Sequence, residues 1–497
     1  MEKFNLKLIL FLVAILICLS VVISVYLFNF PKNLIFTGSI FLFVLFFYKK
    51  EFILWVFILI GIFFYPIRNF SFRVLGILIL PSDILAIFAN FLGFIFLTTK
   101  SHKNNSMNFR IPTKVFSITI FFITLIILST LIGLYNGNYP KSVLRETKLI
   151  IYYSLIPIFC VLMLRENIKI ERVFIITLIF SSLGSLYDLY CRLFDIYTIS
   201  GFAGGLEGYR TVAETPVGTI VRDYGWISTF PYQVFAFLIA IVLFLNFKNL
   251  LIKIFALLLG MLNLITNFLT VTRGFMVAIF LGCLTILLLE LMKKRLKLGA
   301  IFRGFVIGLL IFAFLYLSTL LLPSTKGAFY RLTTVFSDKY AGRGDIENMN
   351  IRLKSLELGI KTALSFPFGK GFGVLSETGK ELQSEKRLLS LLYHNSLGYI
   401  FYSFGLIGTL GILFLFFSLL LKLTFLYPKV DVADKINLSL VISNFIALLS
   451  MSFTSANFLF TIECVLPFSI FLFASIGYYL QIDKRRDAEH LNKDRNS

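Results

Sequence analysis

Apolar runs of about twenty residues, parted by short polar or glycine-bearing segments, recur along the whole chain. A helix needs roughly that length to cross a hydrocarbon core, and a spanning segment must satisfy its backbone polar groups internally. The pattern therefore predicts an all-α polytopic membrane protein. The runs begin near Lys7, Leu34, Phe52, Ser82, Val115, Leu149, Val173, Phe230, Leu251, Gly274, Ala300, Asn395, Ile436 and Phe458. They give about 12–14 transmembrane helices and one large extracytoplasmic loop containing an amphipathic helix. On this reading residues 1–322 form an N-terminal bundle, 323–393 the large loop, 394–480 the C-terminal helices and 481–497 a basic cytoplasmic tail. The first apolar run is too long for an ordinary secretory signal and lacks a small-residue cleavage site, so it reads as an anchor.

Composition sharpens the class. The chain is 58% hydrophobic and only 15% charged, with 59 Phe and a mean hydropathy of +0.88. Its formal net charge of +21 is spread through membrane-flanking segments, which calls for no nucleic-acid partner. Lys and Arg are concentrated in SHKNNSMNFRIPTK, RENIKIER, FKNLLIK, KKRLKLGAIFR and the tail. The positive-inside rule then places both termini in the cytoplasm and the long loop outside. Cys18, Cys160, Cys191, Cys283 and Cys464 have neither metal-ligand nor disulfide-like spacing and read as packing residues.

The long loop carries the candidate chemistry. In NIRLKSLELGIKTALSF, Leu353, Leu356, Ile360 and Leu364 share one helical face, while Arg352, Lys354, Glu357 and Lys361 fall on others. This predicts an amphipathic helix lying across the bundle mouth; the plainer reading is a lid packed on the bilayer surface. FPFGKGFG follows, where Gly369, Gly371 and Gly373 permit tight turns that bring amides close to an anion. Histidine occurs three times. His102 and His490 sit in basic segments assigned to the cytoplasm, leaving His394 as the imidazole on the outer side.

The order of these pieces adds information. An Arg-Gly at the mouth of a span (VTRGFMVAIF) precedes a long loop with an arginine-led amphipathic helix, which closes on YHNSLGYIFYSFGLIGTLGILF. This arrangement, best from about Tyr224 to Phe417, resembles the O-antigen ligase and polymerase superfamily of bacterial envelope glycosyltransferases. The resemblance implies a GT-C-like enzyme of the cytoplasmic (inner) membrane that uses no cofactor and no catalytic metal. It implies transfer of a glycan from undecaprenyl diphosphate to a sugar hydroxyl at the outer, periplasmic face, with lipid A core as the acceptor of a ligase and a lipid-linked glycan as that of a polymerase. Ligase is slightly favoured. A lipid-linked oligosaccharide flippase is the alternative, although no internal repeat of the kind common in transporters is evident.

Within that scheme His394 is the candidate general base, because an imidazole is suited to take a proton from an attacking hydroxyl. Arg273 and Arg352 are the candidate clamps for the departing diphosphate, since guanidinium stays ionised and grips phosphate through paired hydrogen bonds. Direct displacement inverts the anomeric centre. Arg222, Arg210, Arg145 and Lys148 are further diphosphate candidates on outer segments, joined there by Lys141. Each has a quieter reading: His394 as a residue capping the following helix, Arg273 snorkelling to headgroups, Arg352 decorating an exposed face, Asp223 pairing with Arg222, and the cations of NGNYPKSVLRETK binding membrane lipids. Glu463, within an apolar run, marks a polar cavity or a helix-helix hydrogen bond.

Overall fold

The structure is a computed structural model. It describes residues 72–74, 77–79, 83–84, 86–87, 89–91, 113–165, 169–193, 197–198, 208–215, 218–224, 230–269, 273–292, 343–373, 395–454 and 475–482. In chain order the elements are strands β1 (Phe72–Val74) and β2 (Ile77–Ile79), then helices α1 (Thr113–Tyr135), α2 (Pro140–Thr147), α3 (Leu149–Tyr153), α4 (Leu155–Arg165) and α5 (Ile170–Leu193). Strands β3 (Tyr197–Thr198), β4 (Gly208–Thr215) and β5 (Gly218–Tyr224) follow. Next come α6 (Phe230–Asn246), α7 (Leu250–Leu269), α8 (Arg273–Met292), α9 (Arg343–Ser365), α10 (Ser396–Leu426) and α11 (Val432–Thr454).

The polytopic helical class holds. Among the described residues five helices are long and apolar enough to cross a membrane: Val115–Tyr135, Leu250–Phe268, Gly274–Met292, Ser396–Lys429 and Val432–Ser452. The run expected from Leu149 is realised as two pieces, α3 and α4, parted at Ser154. The runs expected from Lys7, Leu34, Phe52 and Ala300 lie outside the described residues.

Helix α6 is the centre of one half of the bundle, packed against α5, α7, α8 and α11. Phe235 to Ala240 are all buried, as expected of a helix that is apolar all round. Polar side chains fasten its neighbours. On α7 the Asn263 carbonyl oxygen accepts from Ser181 at 2.6 Å and Ser185 at 3.0 Å, and its amide donates to Ser182 at 2.8 Å, all three on α5. In lipid the hydrophobic effect does not drive helices together, so such bonds and close packing do.

The other half is built on α10, which packs against α9, α11 and α1. This helix is broken: Gly405 has φ 67° and ψ −168°. A break inside an apolar span frees backbone groups that lipid cannot satisfy. Here the segment after α9 satisfies them. The Lys370 amide donates to the Tyr402 carbonyl at 2.8 Å, the Gly371 amide to Ser403 at 3.2 Å, and the Ile407 amide to Pro367 at 3.2 Å. Ser129 of α1 donates its hydroxyl to the Ser403 carbonyl at 3.1 Å.

Glycine makes this approach possible. A Cβ on Gly405 would collide with the Pro367 carbonyl and the Gly369 amide, and one on Gly371 would collide with the backbone of Gly133 and Ser129. We expect Gly405→Ala to lower stability by roughly 1–3 kcal/mol for the collision plus about 1–3 kcal/mol for a backbone conformation that essentially only glycine adopts. Gly137, whose φ is 73° with nothing within 4 Å of its Cβ position, carries only a backbone cost. Thermal unfolding of Gly405→Ala and Gly137→Ala in detergent checks this, and equal losses would contradict it.

Candidate active site

Helix α9 exists where the pattern predicts it, and the side it packs against the protein is not its apolar stripe. Ser355, Gly359, Thr362 and Ala363 are buried, whereas Leu353, Ile360 and Leu364 are exposed. The reason is close backbone approach: a Cβ on Gly359 would strike the Gly398 carbonyl of α10, and one on Gly398 would lie 2.6 Å from the Ser355 carbonyl. Small residues set the contact between the helices, and the larger apolar ones point elsewhere.

That contact places Arg352 beside the start of α10. The Asn395 side-chain amide donates to the Arg352 carbonyl at 3.5 Å, and Arg352 itself is half-buried. Asn395 caps α10, its carbonyl oxygen accepting from the amides of Leu397 at 2.9 Å and Gly398 at 3.1 Å. Asn395 is thus the N-cap of α10. His394 itself lies outside the described residues, as does Glu463.

The glycine segment does not act as an open nest for an external anion. Its amides at Lys370, Gly371 and Phe372 are spent on the carbonyls of Tyr402, Ser403 and Ser129. The Gly373 amide does meet an anion, but it is the carboxylate of Glu146 on α2, at 3.1 Å. The same carboxylate oxygen accepts from the Tyr399 hydroxyl of α10 at 2.6 Å. Glu146 is buried, and it joins three elements distant in sequence at the end of the bundle where α10 begins. The sequence reading passed over it; an acidic residue amid the cations of KSVLRETK was the available signal.

The cations on α2 and beyond divide. Lys141 is exposed and Arg145 half-buried. Lys148 forms an ion pair with Asp83 at 2.7 Å, where Tyr152 also donates to Asp83 at 2.7 Å. Burial lowers the pKa of Lys148 from its ordinary value, against the opposing pull of Asp83. Arg273 opens α8. Arg210 and Arg222 lie on the β4–β5 hairpin, which the helical reading missed although a Pro-Val-Gly turn between β-branched runs marks it. The register sets Asp223 opposite Arg210 and Arg222 opposite Thr211. Strand β5 lies against α7, whose end precedes Arg273.

The fold and this end of the bundle define a multi-pass helical membrane protein whose loop helix is locked against a broken span. Residues 255–413 match the family model described as O-Antigen ligase, which bears out the resemblance to the O-antigen ligase and polymerase superfamily over that stretch. The matched segment runs from α7 through Arg273, Arg352 and Asn395 into α10, and it supports a glycosyltransferase-like role in O-antigen and polysaccharide assembly. No curated protein matches the chain.

If Lys148 serves to neutralise Asp83, Lys148→Met leaves a buried carboxylate without that cation and costs about 3–5 kcal/mol, while Asp83→Asn/Lys148→Met restores most of the stability. Thermal unfolding together with transfer activity separates the roles. A stable but inactive double variant would assign Lys148 to substrate instead.

Proposed function

We propose that the protein is a membrane glycosyltransferase that moves a glycan from an undecaprenyl diphosphate carrier to a sugar hydroxyl at the outer face of the cytoplasmic membrane. The acceptor is lipid A core in a ligase reaction and a second lipid-linked glycan in a polymerase reaction, and the family description favours ligase. The observation that carries the proposal is that the matched segment includes all three residues singled out for chemistry, Arg273, Arg352 and His394. The hydrogen bond from Asn395 to the Arg352 carbonyl supports their meeting, because it joins the residue next to His394 to the backbone of one proposed clamp.

In the proposed reaction His394 accepts the proton of the acceptor hydroxyl as that oxygen attacks the anomeric carbon. The bond from the anomeric carbon to the diphosphate oxygen breaks in the same step. The negative charge left on diphosphate is met by the guanidiniums of Arg273 and Arg352, which stabilise it as it develops. One displacement of this kind inverts the anomeric configuration. The protein's part is to hold base and clamps on a fixed frame, and the rigid union of α9 with the start of α10 suits that demand.

The purified protein, supplied with a polyprenyl-diphosphate repeat unit with and without lipid A core, should form a new glycosidic bond of inverted configuration by NMR. Sugar on the core marks a ligase, and longer lipid-linked chains mark a polymerase. His394→Ala, at unchanged membrane level, should lose about 10²–10⁴-fold in turnover. Near-normal turnover would remove His394 from the mechanism, and movement of the lipid between leaflets without a new bond would replace the proposal with a transporter.

A further inference from the structure

Around the axis of α9 three sectors follow one another. Ser355, Gly359, Thr362 and Ala363 face the protein. Leu353 at 56%, Ile360 at 38% and Leu364 at 66% exposure form an apolar stripe. Lys354, Glu357 and Lys361 form an exposed charged sector beside it, with Lys361 and Glu357 paired at 2.6 Å. A loop helix in water has no use for a separate apolar sector that the protein leaves uncovered. A helix at the boundary of protein, hydrocarbon and water requires all three.

The backbone contacts fix where the end of this helix sits. Helix α9 follows α10 inward: Arg352 lies at Asn395, Gly359 at Gly398, and Pro367 at Gly405 and Ile407. Pro367 is therefore roughly 15 Å along α10 from its first turn, at 1.5 Å per residue. On the other side Gly371 and Phe372 meet Ser129 and Gly133, inside the last two turns of α1. The turn between them lies below the ends of two apolar spans. Its side chains Phe366 and Phe368 are exposed, the latter by 58%. They continue the outward apolar surface of α10, where Ile407 and Leu410 are about equally exposed. The Lys370 ammonium sits 5.1 Å from the centre of the Phe366 ring.

We propose that α9 and the Phe366–Phe368 turn form a re-entrant element whose apolar stripe is embedded in the lipid leaflet at this end of the bundle. The occupant of the exposed stripe is bilayer acyl chain, because the stripe is followed by the exposed Phe366 and Phe368, whose turn is bonded at Pro367 to the equally exposed Ile407 of a spanning helix, and is bordered by charged side chains. The element acts as an interfacial keel. It holds the helix that carries Arg352 at a set depth, independently of which glycan the protein transfers.

Tryptophan fluorescence tests the depth. The full chain with Trp55→Phe and Trp226→Phe, carrying Phe368→Trp or Leu364→Trp as its one indole, is placed in nanodiscs of phosphatidylcholine brominated at mid-chain. Both should show blue-shifted emission, quenching of at least about twofold by brominated lipid, and little quenching by acrylamide. Asn350→Trp, at an exposed position near the start of α9, should show the reverse. Acrylamide quenching at residues 364 and 368 would overturn the proposal. So would protection from both quenchers, which would mean that protein, such as a second copy of the chain, covers the stripe.

Discussion

The structure rests on an exchange of backbone hydrogen bonds between a broken span and a returning loop. Gly405 interrupts α10 inside an apolar run, and the carbonyls of Tyr402 and Ser403, with the amide of Ile407, find partners on Lys370, Gly371 and Pro367. In water such groups could fall back on solvent. In hydrocarbon each unsatisfied group costs several kcal/mol, so the break and the loop are obligatory to one another. Everything at this end of the bundle follows from that mutual need: the glycines that permit contact, the bond from the Phe372 amide to the Ser129 carbonyl and that from the Asn138 side-chain amide to the Phe372 carbonyl, which fasten the loop to α1 and its exit, and the fixed start of α10.

The same exchange explains how a long loop becomes part of a rigid site. Helix α9 is pinned at its C-terminal end by Pro367 and Gly369 against Gly405, and along its length by Gly359 against Gly398. A third tether comes from α2, whose Glu146 accepts from both Tyr399 and Gly373. Three segments far apart in sequence thus share one carboxylate, close to the turn that follows His394. A chemistry that depends on a base and two cations meeting one diphosphate needs a frame of this stiffness more than it needs further functional groups.

How much of this was legible follows from the physics of each signal. Helices stood out because apolar length is decisive in lipid, and the starts of α1, α7, α8 and α10 fall within a few residues of the expected places. The packed faces did not stand out. The stripe of Leu353, Ile360 and Leu364 was visible as one face of an amphipathic helix, but the side that meets protein was not, because in a membrane small residues set the helix contacts. The glycines of FPFGKGFG were read as bringing amides to an anion, whereas the amides of Lys370, Gly371 and Phe372 meet backbone carbonyls. Their partner was not visible, because nothing local to residues 369–373 announces that Gly133 and Gly405 wait for them. The β4–β5 hairpin was hidden by attention to charge, and Glu146 by the cations around it.

The cationic residues show why charge alone is a poor guide to a site. Lys148 and Arg145 sit three residues apart on an outer segment and read alike in the sequence. Yet the Lys148 ammonium is held by Asp83 in a nearly closed environment. An ammonium bound in that way must give up a carboxylate before it can meet a phosphate, which opposes substrate binding at that position. Sign of charge alone therefore does not make Lys148 a diphosphate ligand, because its geometry assigns the ammonium to Asp83.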